Sequence, residues 1–290
     1  MVNTRRIYEL SSGHKMPMIG LGTYLLTDKR SIWKIIDEAL SAGYRLIDTA
    51  AMYGNEEEIG YALKKLLPKH HLTRQDIFLI SKLPPTNHGD DALESLNETI
   101  RLLQCEYLDL YLIHWPGSSD CDPKDPNNAI LRDKSWSKLV EAKQTGLTRD
   151  IGVSNYSIRH LEGLLENSYG EKPVVNQIEW HPHCHQDNMK KFCDENGILI
   201  QSYFSFGGSE KKLLLSDPTV LNISEKIGKS APQILLQWSL QQNVAVIPKS
   251  SSRQHLHVNI DLDFVIPKNY MEKLSNLPQI RYGSDPNVVA

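Results

Sequence analysis

The 290 residues carry 32 Lys and Arg against 35 Asp and Glu, a formal net charge of -3, with 40% hydrophobic and 23% charged residues. That balance belongs to an ordinary folded chain with a large core. It excludes disorder, and it excludes the basic excess that nucleic acid or an anionic membrane surface would require. Four cysteines, Cys105, Cys121, Cys184 and Cys193, form no CxxC pair and are too sparse for a disulfide scaffold, so a reducing, cytoplasmic setting is expected. No run of about 18 apolar residues occurs, and "MVNTRRIYELSSGHKMPMIG" lacks the apolar core of a leader, so no membrane partner is expected.

In chain order, "IYELSSGHKMP" reads as a hairpin and "MPMIGLGTY" as a first buried strand. Seven further apolar runs follow at a nearly regular interval: "RLIDTA", "IFLISK", "LDLYLIHW", "DIGVSN", "VVNQIEW", "ILIQSYF" and "VAVIPKS". Amphipathic stretches separate them. In "SIWKIIDEALSAG", Ile32, Ile35, Ile36, Ala39 and Leu40 repeat at helical spacing and Gly43 supplies the stop. Comparable patterns occur in "NEEEIGYALKKLL", "DDALESLNETIRLL", "SWSKLVEAKQTG", "SIRHLEGLLEN", "QDNMKKFCDENG" and "APQILLQWSLQQ".

Continuous apolar strands, each followed by a helix, predict a parallel sheet covered by helices, and eight of them predict a closed (β/α)8 TIM barrel with the hairpin plugging one end. No linker or composition shift divides residues 1–290, so one domain is expected. The longest irregular segment is "WPGSSDCDPKDPNNAILRDKS", after the fourth strand, a length that usually marks a functional or disordered loop.

Barrels of this kind carry their chemistry at the carboxyl ends of the strands. Three consecutive runs end there in ionisable groups: Asp48, Lys82 and His114. One such residue alone would only solvate a strand end. Three converging on one rim bury opposed charges without a stability gain, which points to a site. Tyr53 follows Asp48 in the same loop, ahead of Asn55-Glu56-Glu57-Glu58, which reads as a helix cap and acidic first turn. An ammonium beside a phenol is expected to lower its pKa from about 10 toward the working range of a general acid. Asp48 would keep Lys82 charged, and His114 would donate to a substrate oxygen. The set can protonate an alkoxide forming from a carbonyl, yet it holds no nucleophile, so electrons must come from a cofactor.

"GYRLIDTAAMYGNEEEIG" resembles the aldo-keto reductase signature, and the likeness continues in order through "SKL", "LIHWPG", "GVSNY", "VNQIEWHP", "SYFSFG" and "IPKS". The resemblance covers almost the whole chain. It implies a (β/α)8 barrel that reduces aldehydes and ketones to alcohols with NADPH, with Tyr53 as proton donor, Lys82 and Asp48 as its tuning pair, and His114 orienting the carbonyl. It further implies Ser154, Asn155 and Gln177 at the nicotinamide carboxamide and Tyr203 as the platform under the ring. Gly22, Thr23, Tyr24, Asp48, Phe204, Ser205, Phe206 and Gly207 would border the cofactor. Lys249, Ser250, Ser251, His255 and Asn259 would hold its 2'-phosphate and adenosine, with no GxGxxG motif involved. Tyr24, Tyr53, Pro84, His114 and Trp115 would line the substrate pocket. A small-molecule carbonyl substrate and a monomeric chain are expected.

The sequence also departs from the family pattern. His255 stands where an arginine is common, with Arg253 two positions early as a substitute, and Val258 replaces a Glu or Gln. Phe204 stands where many members have a serine, and Pro84 where a tryptophan is frequent. Together with the short loop "GGSEKKLLLSD" and the short, polar "LPQIRYGSDPNVVA", these predict looser NADPH discrimination and an open pocket. "EWHPHCHQ" places His181, His183, Cys184 and His185 close together, but it lacks a second paired ligand motif and predicts no metal. Binding proteins and metal-dependent hydrolases share such barrels, since fold alone does not fix function.

Overall fold

The computed structural model describes residues 6–208 and 211–290, apart from the side chains of residues 211 and 212. It opens with an antiparallel hairpin, β1 (Ile7–Glu9) and β2 (Lys15–Pro17), in which Ile7 pairs with Pro17 and Glu9 with Lys15. Eight strands then lie side by side in chain order: β3 (Leu21–Gly22), β4 (Leu46–Asp48), β5 (Phe78–Leu83), β6 (Leu108–Ile113), β7 (Thr148–Ser154), β8 (Val175–Glu179), β9 (Leu199–Tyr203) and β10 (Ala245–Val246). Every neighbouring pair is parallel.

The ring closes between β10 and β3. Ile19 bridges Val246 and Gly22 bridges Lys249, with the Gly20 N–H donating to the Val246 carbonyl at 2.9 Å and the Val246 N–H to the Met18 carbonyl at 2.8 Å. Only glycine permits this seam: a Cβ on Gly22 would meet the Ile247 carbonyl oxygen at 2.5 Å. The expected eight-stranded barrel is therefore present, and the hairpin caps its amino-terminal mouth. His14 Nδ1 reaches Asp150 Oδ2 at 2.9 Å near the start of β7, and Arg6 Nη1 donates to Gln237 at 3.1 Å.

Seven helical stretches fall where periodicity put them: α1 (Lys29–Ala42), α2 (Glu56–Lys69), α3 (Ala92–Leu102), α4 (Asn127–Gln144), α5 (Ile158–Glu166), α6 (Asp187–Asn196) and α9 (Ala231–Leu240). In α1 the buried residues are the five periodic ones, Ile32, Ile35, Ile36, Ala39 and Leu40, each worth roughly 1–3 kcal/mol of burial. Asp28 caps its start through the Ser31 N–H, and Gly43 ends it at φ 99°.

Two expectations need correction. The irregular segment after β6 is half helix, because α4 begins at Asn127. Its first turns have no amphipathic stripe to betray them, with Ile130 exposed and Asn128 buried. Asn128 fixes the loop instead, accepting the Ser118 N–H at 2.9 Å and donating to the Asp122 and Asp125 carbonyls at 2.8 and 3.0 Å. Four helices were not expected: α7 (Lys211–Leu215), α8 (Pro218–Ile227), α10 (Arg253–Ile260) and α11 (Lys268–Ser275). Each buries only a narrow stripe, such as Val220 and Ile223 in α8 or Leu274 alone in α11. Residues 209 and 210 of the loop "GGSEKKLLLSD" lie outside the described residues, as do residues 1–5.

Candidate active site

Strands β4, β5 and β6 deliver Asp48, Lys82 and His114 to the same carboxyl-terminal rim, as the apolar runs predicted. Lys82 is fully buried and Asp48 is 2% exposed. Lys82 Nζ donates to Asp48 Oδ1 at 2.8 Å, to the Thr49 carbonyl at 2.7 Å and to the Tyr53 hydroxyl at 3.3 Å. Tyr53 sits at the end of the short 3-10 turn Ala51–Tyr53 that leaves β4. The second carboxylate oxygen of Asp48 accepts from Gln177 Nε2 at 2.7 Å, which ties β8 into the cluster.

Burial outweighs mutual attraction in the ion pair. It pushes Asp48 above its ordinary value despite Lys82 and Gln177, and it pulls Lys82 down despite Asp48. The expectation for Tyr53 is overturned. Burial first, then the Asp48 charge and the Tyr24 phenol, hold its pKa well above the ordinary 10, so the lysine does not lower it. The hydroxyl is therefore protonated across the whole neutral range. His114 moves the other way, well below its ordinary value, through burial and the Lys82 charge, and is a neutral imidazole. Its sealed Nδ1 has no partner among the described residues. Leaving a lone pair unmatched costs less than leaving an N–H unmatched, which assigns the proton to Nε2.

The expected cofactor residues form two groups. Ser154 and Asn155, at the end of β7, are buried beside the cluster: Ser154 Oγ donates to the Gln177 carbonyl at 2.8 Å and Asn155 Nδ2 to the His114 carbonyl at 2.9 Å. Asn155 takes φ 63°, a conformation asparagine tolerates, and its Oδ1 accepts the Tyr203 hydroxyl at 2.6 Å. Thr23 hydrogen-bonds the Asp48 carbonyl at 2.9 Å. Tyr24 packs on Tyr53 with ring centroids 5.1 Å apart and on Phe204 at 6.4 Å, and His114 meets the Tyr53 ring edge-on at 5.7 Å. Ser205 is buried against Ser202, Phe206 is half-buried, and Gly207 turns the chain at φ 86°. Pro84 is buried at the end of β5, and Trp115, beside His114, is half-buried.

The second group stands apart at the β10 end and on α10. Lys249, Ser251 and His255 are exposed, while Ser250 and Asn259 are buried. The bridge between Gly22 and Lys249 joins this group to the rim. Arg253, two positions early of the family's arginine, is exposed on α10 and pairs with Glu38 at 3.1 Å.

Several contributors were not anticipated. Asn55 precedes α2 but makes no cap bond. Its buried amide accepts from Thr49 Oγ at 2.7 Å and donates to the Thr23 and Leu26 carbonyls at 3.0 Å, bracing the loops on both sides of Asp48. Glu56, in the first turn of α2, is buried, and Ser81 Oγ donates to it at 2.6 Å beneath Lys82. Gln201 accepts from Gln177 at 2.8 Å. A polar residue at matched register in the two runs "VNQIEW" and "ILIQSY" was the available signal. The histidines of "EWHPHCHQ" go to separate partners: His181 to Glu179, His183 to Tyr282 and Asp217, and His185 to the Trp180 and Trp238 rings. Among the described residues, no group of three or more His, Cys, Asp or Glu is placed to hold a metal, and no helix is long and apolar enough to cross a membrane.

The fold and site together are those of an eight-stranded α/β barrel with a buried Asp–Lys–Tyr cluster and a neutral histidine on its carboxyl rim. The comparisons narrow this. The model of the aldo/keto reductase family matches residues 18–277, and the chain belongs to that family of NAD(P)H-dependent oxidoreductases. It is 37% identical to aldose reductase B of Dictyostelium discoideum over 281 residues, 91% of this chain and 89% of that one. Against the bovine (Bos taurus) aldo-keto reductase family 1 member A1 the identity is 38% over 288 residues, 92% and 88% of the two chains. Among solved structures, an aldo/keto reductase from Brucella melitensis superposes with a TM-score of 0.84 at 34% identity, covering 95% of this chain and 99% of that one. The aldose reductase from Schistosoma japonicum gives 0.86 at 31%, covering 96% and 94%.

Proposed function

We propose that the protein is an NADPH-dependent reductase of aldehydes and ketones in which Tyr53 is the general acid. The observation that carries this reading is the Tyr53 hydroxyl held at 3.3 Å by a fully buried Lys82, itself paired with Asp48. A nicotinamide suits the residues present: the side-chain carbonyl of Gln177 has no protein partner among the described residues, so it can accept from a carboxamide while Nε2 serves Asp48 and Gln201. Ser154 and Asn155 lie beside it, and the half-buried Tyr203 offers a ring face at the end of β9. When bound, the cofactor supplies hydride to the carbonyl carbon.

The chain's own residues do the rest. His114, neutral and carrying its proton on Nε2, donates to the carbonyl oxygen and fixes its direction. Tyr53 delivers its proton to that oxygen as negative charge develops there. A raised phenol pKa does not hinder this, because an alkoxide is far more basic than a phenolate. Lys82 donates into the phenol oxygen and stabilises the phenolate left behind, while Asp48 and the Thr49 carbonyl hold the ammonium in place. Tyr24, Pro84 and Trp115 would line the substrate side. Lys249, with Ser250, Ser251, His255 and Asn259, would meet the 2'-phosphate and adenosine. With Arg253 engaged by Glu38, Lys249 carries most of that charge recognition, so preference for NADPH over NADH is modest. The unpaired cysteines support a cytoplasmic setting. A site assembled within one domain of one chain supports a monomer.

The test is NADPH oxidation against a panel of aldehydes, ketones and sugars, with Tyr53→Phe as control. Removing the acid should lower kcat by on the order of 10²–10⁴ with little change in cofactor affinity. Near-normal turnover by Tyr53→Phe would refute the assignment.

A further inference from the structure

The motif from Glu179 to His185, whose histidines look like metal ligands in the sequence, is spent largely on the C-terminal segment. Glu179 is buried, and its two oxygens accept the backbone N–H groups of Tyr282 at 2.7 Å and Gly283 at 2.9 Å. His181 Nε2 lies 3.0 Å from Glu179 Oε1, and the His181 ring stacks on Tyr282 with centroids 5.2 Å apart and planes 29° apart. The Tyr282 hydroxyl pairs with His183 Nδ1 at 2.7 Å. The backbone follows the same path: the Ile280 N–H donates to the His183 carbonyl, and Gln279 bridges the His185 N–H at 2.9 Å and the Pro182 carbonyl at 3.0 Å.

The opposite face of this turn rests on the site. A Cβ on Gly283 would lie 2.9 Å from Glu179 Oε2, 3.6 Å from the Tyr203 hydroxyl and 3.7 Å from the Phe204 ring. A Cβ on Gly207 would meet the Tyr282 ring at 3.0 Å. Tyr282 and Gly283 thus form a layer between the motif and the Tyr203–Gly207 turn. A buried carboxylate is expensive, and here its compensating partners are His181 on its own loop, the tail backbone and the tail's Arg281 guanidinium, 3.8 Å from Glu179 Oε2. That expenditure secures one particular placement of the tail, which apolar packing alone would leave looser.

We propose that Glu179, His181 and His183 form a docking station that holds the Tyr282–Gly283 turn against Tyr203 and Phe204, and so act as positioning residues for the nicotinamide platform. The inference rests on Tyr203 being that platform, as proposed above. The station touches neither Tyr53 nor Lys82, so its loss lowers the population of the binding-competent arrangement and leaves the proton-transfer step intact.

The test uses the full chain with Tyr282→Phe, Glu179→Gln and Tyr203→Ala. Three quantities are read: hydrogen exchange of residues 279–285 without cofactor, the NADP+ dissociation constant from protein fluorescence, and kcat at saturating NADPH. Tyr282→Phe keeps the stacked ring and deletes the hydroxyl's hydrogen bond to His183. It should raise exchange across the turn and weaken NADP+ about fivefold with kcat unchanged, the factor expected if the competent state is thinned by one ordinary hydrogen bond. Glu179→Gln should weaken NADP+ by about tenfold or more, since a charged acceptor is lost; if it does not fold, Tyr282→Phe decides alone. Wild-type NADP+ affinity in Tyr282→Phe overturns the station, whether or not exchange rises. Wild-type affinity in Tyr203→Ala instead overturns the platform on which it rests.

Discussion

Asp48 and Asp109 are two buried carboxylates at opposite ends of the same barrel, and their surroundings differ in kind. Asp109, near the amino end of β6, accepts the Leu79 N–H at 2.9 Å and pairs with Arg74 at 2.7 Å and Arg149 at 3.2 Å. Both guanidinium side chains stay partly hydrated, at 21% and 42% exposure. Asp48, at the carboxyl end of β4, has a lysine sealed to 0% exposure as its cation. Arginine keeps its charge at any working pH and sheds little hydration at the base. At the rim both ions are desolvated, and both are pushed toward neutrality. The base spends charge on holding strands together. The rim accepts an unfavourable burial to keep a phenol, an ammonium and a carboxylate in register.

The largest effect that could break this contrast is an exchange of roles. Replacing the rim pair by the double substitution Lys82→Met and Asp48→Asn should lower kcat by on the order of 10²–10⁴, the range for losing assisted proton transfer. Replacing both members together avoids a lone Lys82 or Asp48 charge and leaves only buried Glu56 without the Lys82 field, so the unfolding midpoint in urea should fall far less than for either single substitution. Asp109→Asn should do the reverse, costing about 1–3 kcal/mol by removing a charged acceptor that the Leu79 N–H and two partly hydrated arginines share, while turnover per folded molecule is unchanged. A destabilised rim double mutant with normal turnover would show that the two ends have been assigned the wrong way round.

Acid should separate the ends next. Burial pulls His88 and His160 down to about 4, with Arg132 adding to the effect at both. His114 and His181 are also depressed, by burial foremost. All four follow the carboxyl ends of strands. Each is neutral in the fold and takes up a proton more readily when unfolded, at about 6.5. Stability from these groups is therefore complete above pH 6.5 and is lost as pH falls toward 4, by up to about 3 kcal/mol each for His88 and His160. Asp48, raised by burial, works in the opposite direction. The Asp109 cluster at the base contains no group of this kind. Hydrogen exchange measured down a pH series should show the rim loops around His88 and His160 opening before the strand ends at Leu79 and Asp109. Simultaneous opening would mean that the histidines do not govern acid sensitivity.

How much of this was legible follows from how local each signal is. Eight apolar runs give strand count and order because both faces of each strand are buried, and the rim residues stand out as ionisable interruptions of those runs. Asn55 stands at the cap position of α2 as expected, but its side chain braces loops instead of capping, and a cap and a loop brace use the same residue type. The difference lies in partners at Thr49, Thr23 and Leu26, on two other segments. Glu56 lies in the acidic first turn as expected, yet it is buried and accepts from Ser81 on β5, a partner that helix patterning does not reveal. The Tyr53 pKa turned on how much burial outweighs one ammonium, and desolvation leaves no mark on spacing. The tail was expected to leave the pocket open because it is polar. Its backbone N–H groups, which any sequence carries, help dock it on Glu179, beside the Tyr282 side chain and the Arg281 guanidinium.

The smallest expected effect sharpens the account of the base. Tyr107 lies between two cations, with the Arg74 guanidinium 4.3 Å and the Arg149 guanidinium 4.2 Å from its ring centre. Its hydroxyl is sealed without a hydrogen-bond partner among the described residues. The ring and the hydroxyl should therefore act in opposite directions. Tyr107→Leu removes both cation–π contacts and should cost about 1–2 kcal/mol in urea unfolding. Tyr107→Phe keeps the ring and relieves an unsatisfied buried group, so stability should be unchanged or higher by up to about 1 kcal/mol. Neither change should alter turnover, because the ring lies at the far end of the barrel from Tyr53. If Tyr107→Phe were the more damaging of the two, the hydroxyl would be an essential hydrogen-bonding partner, and the base would rest on that bond rather than on cations stacked over a ring.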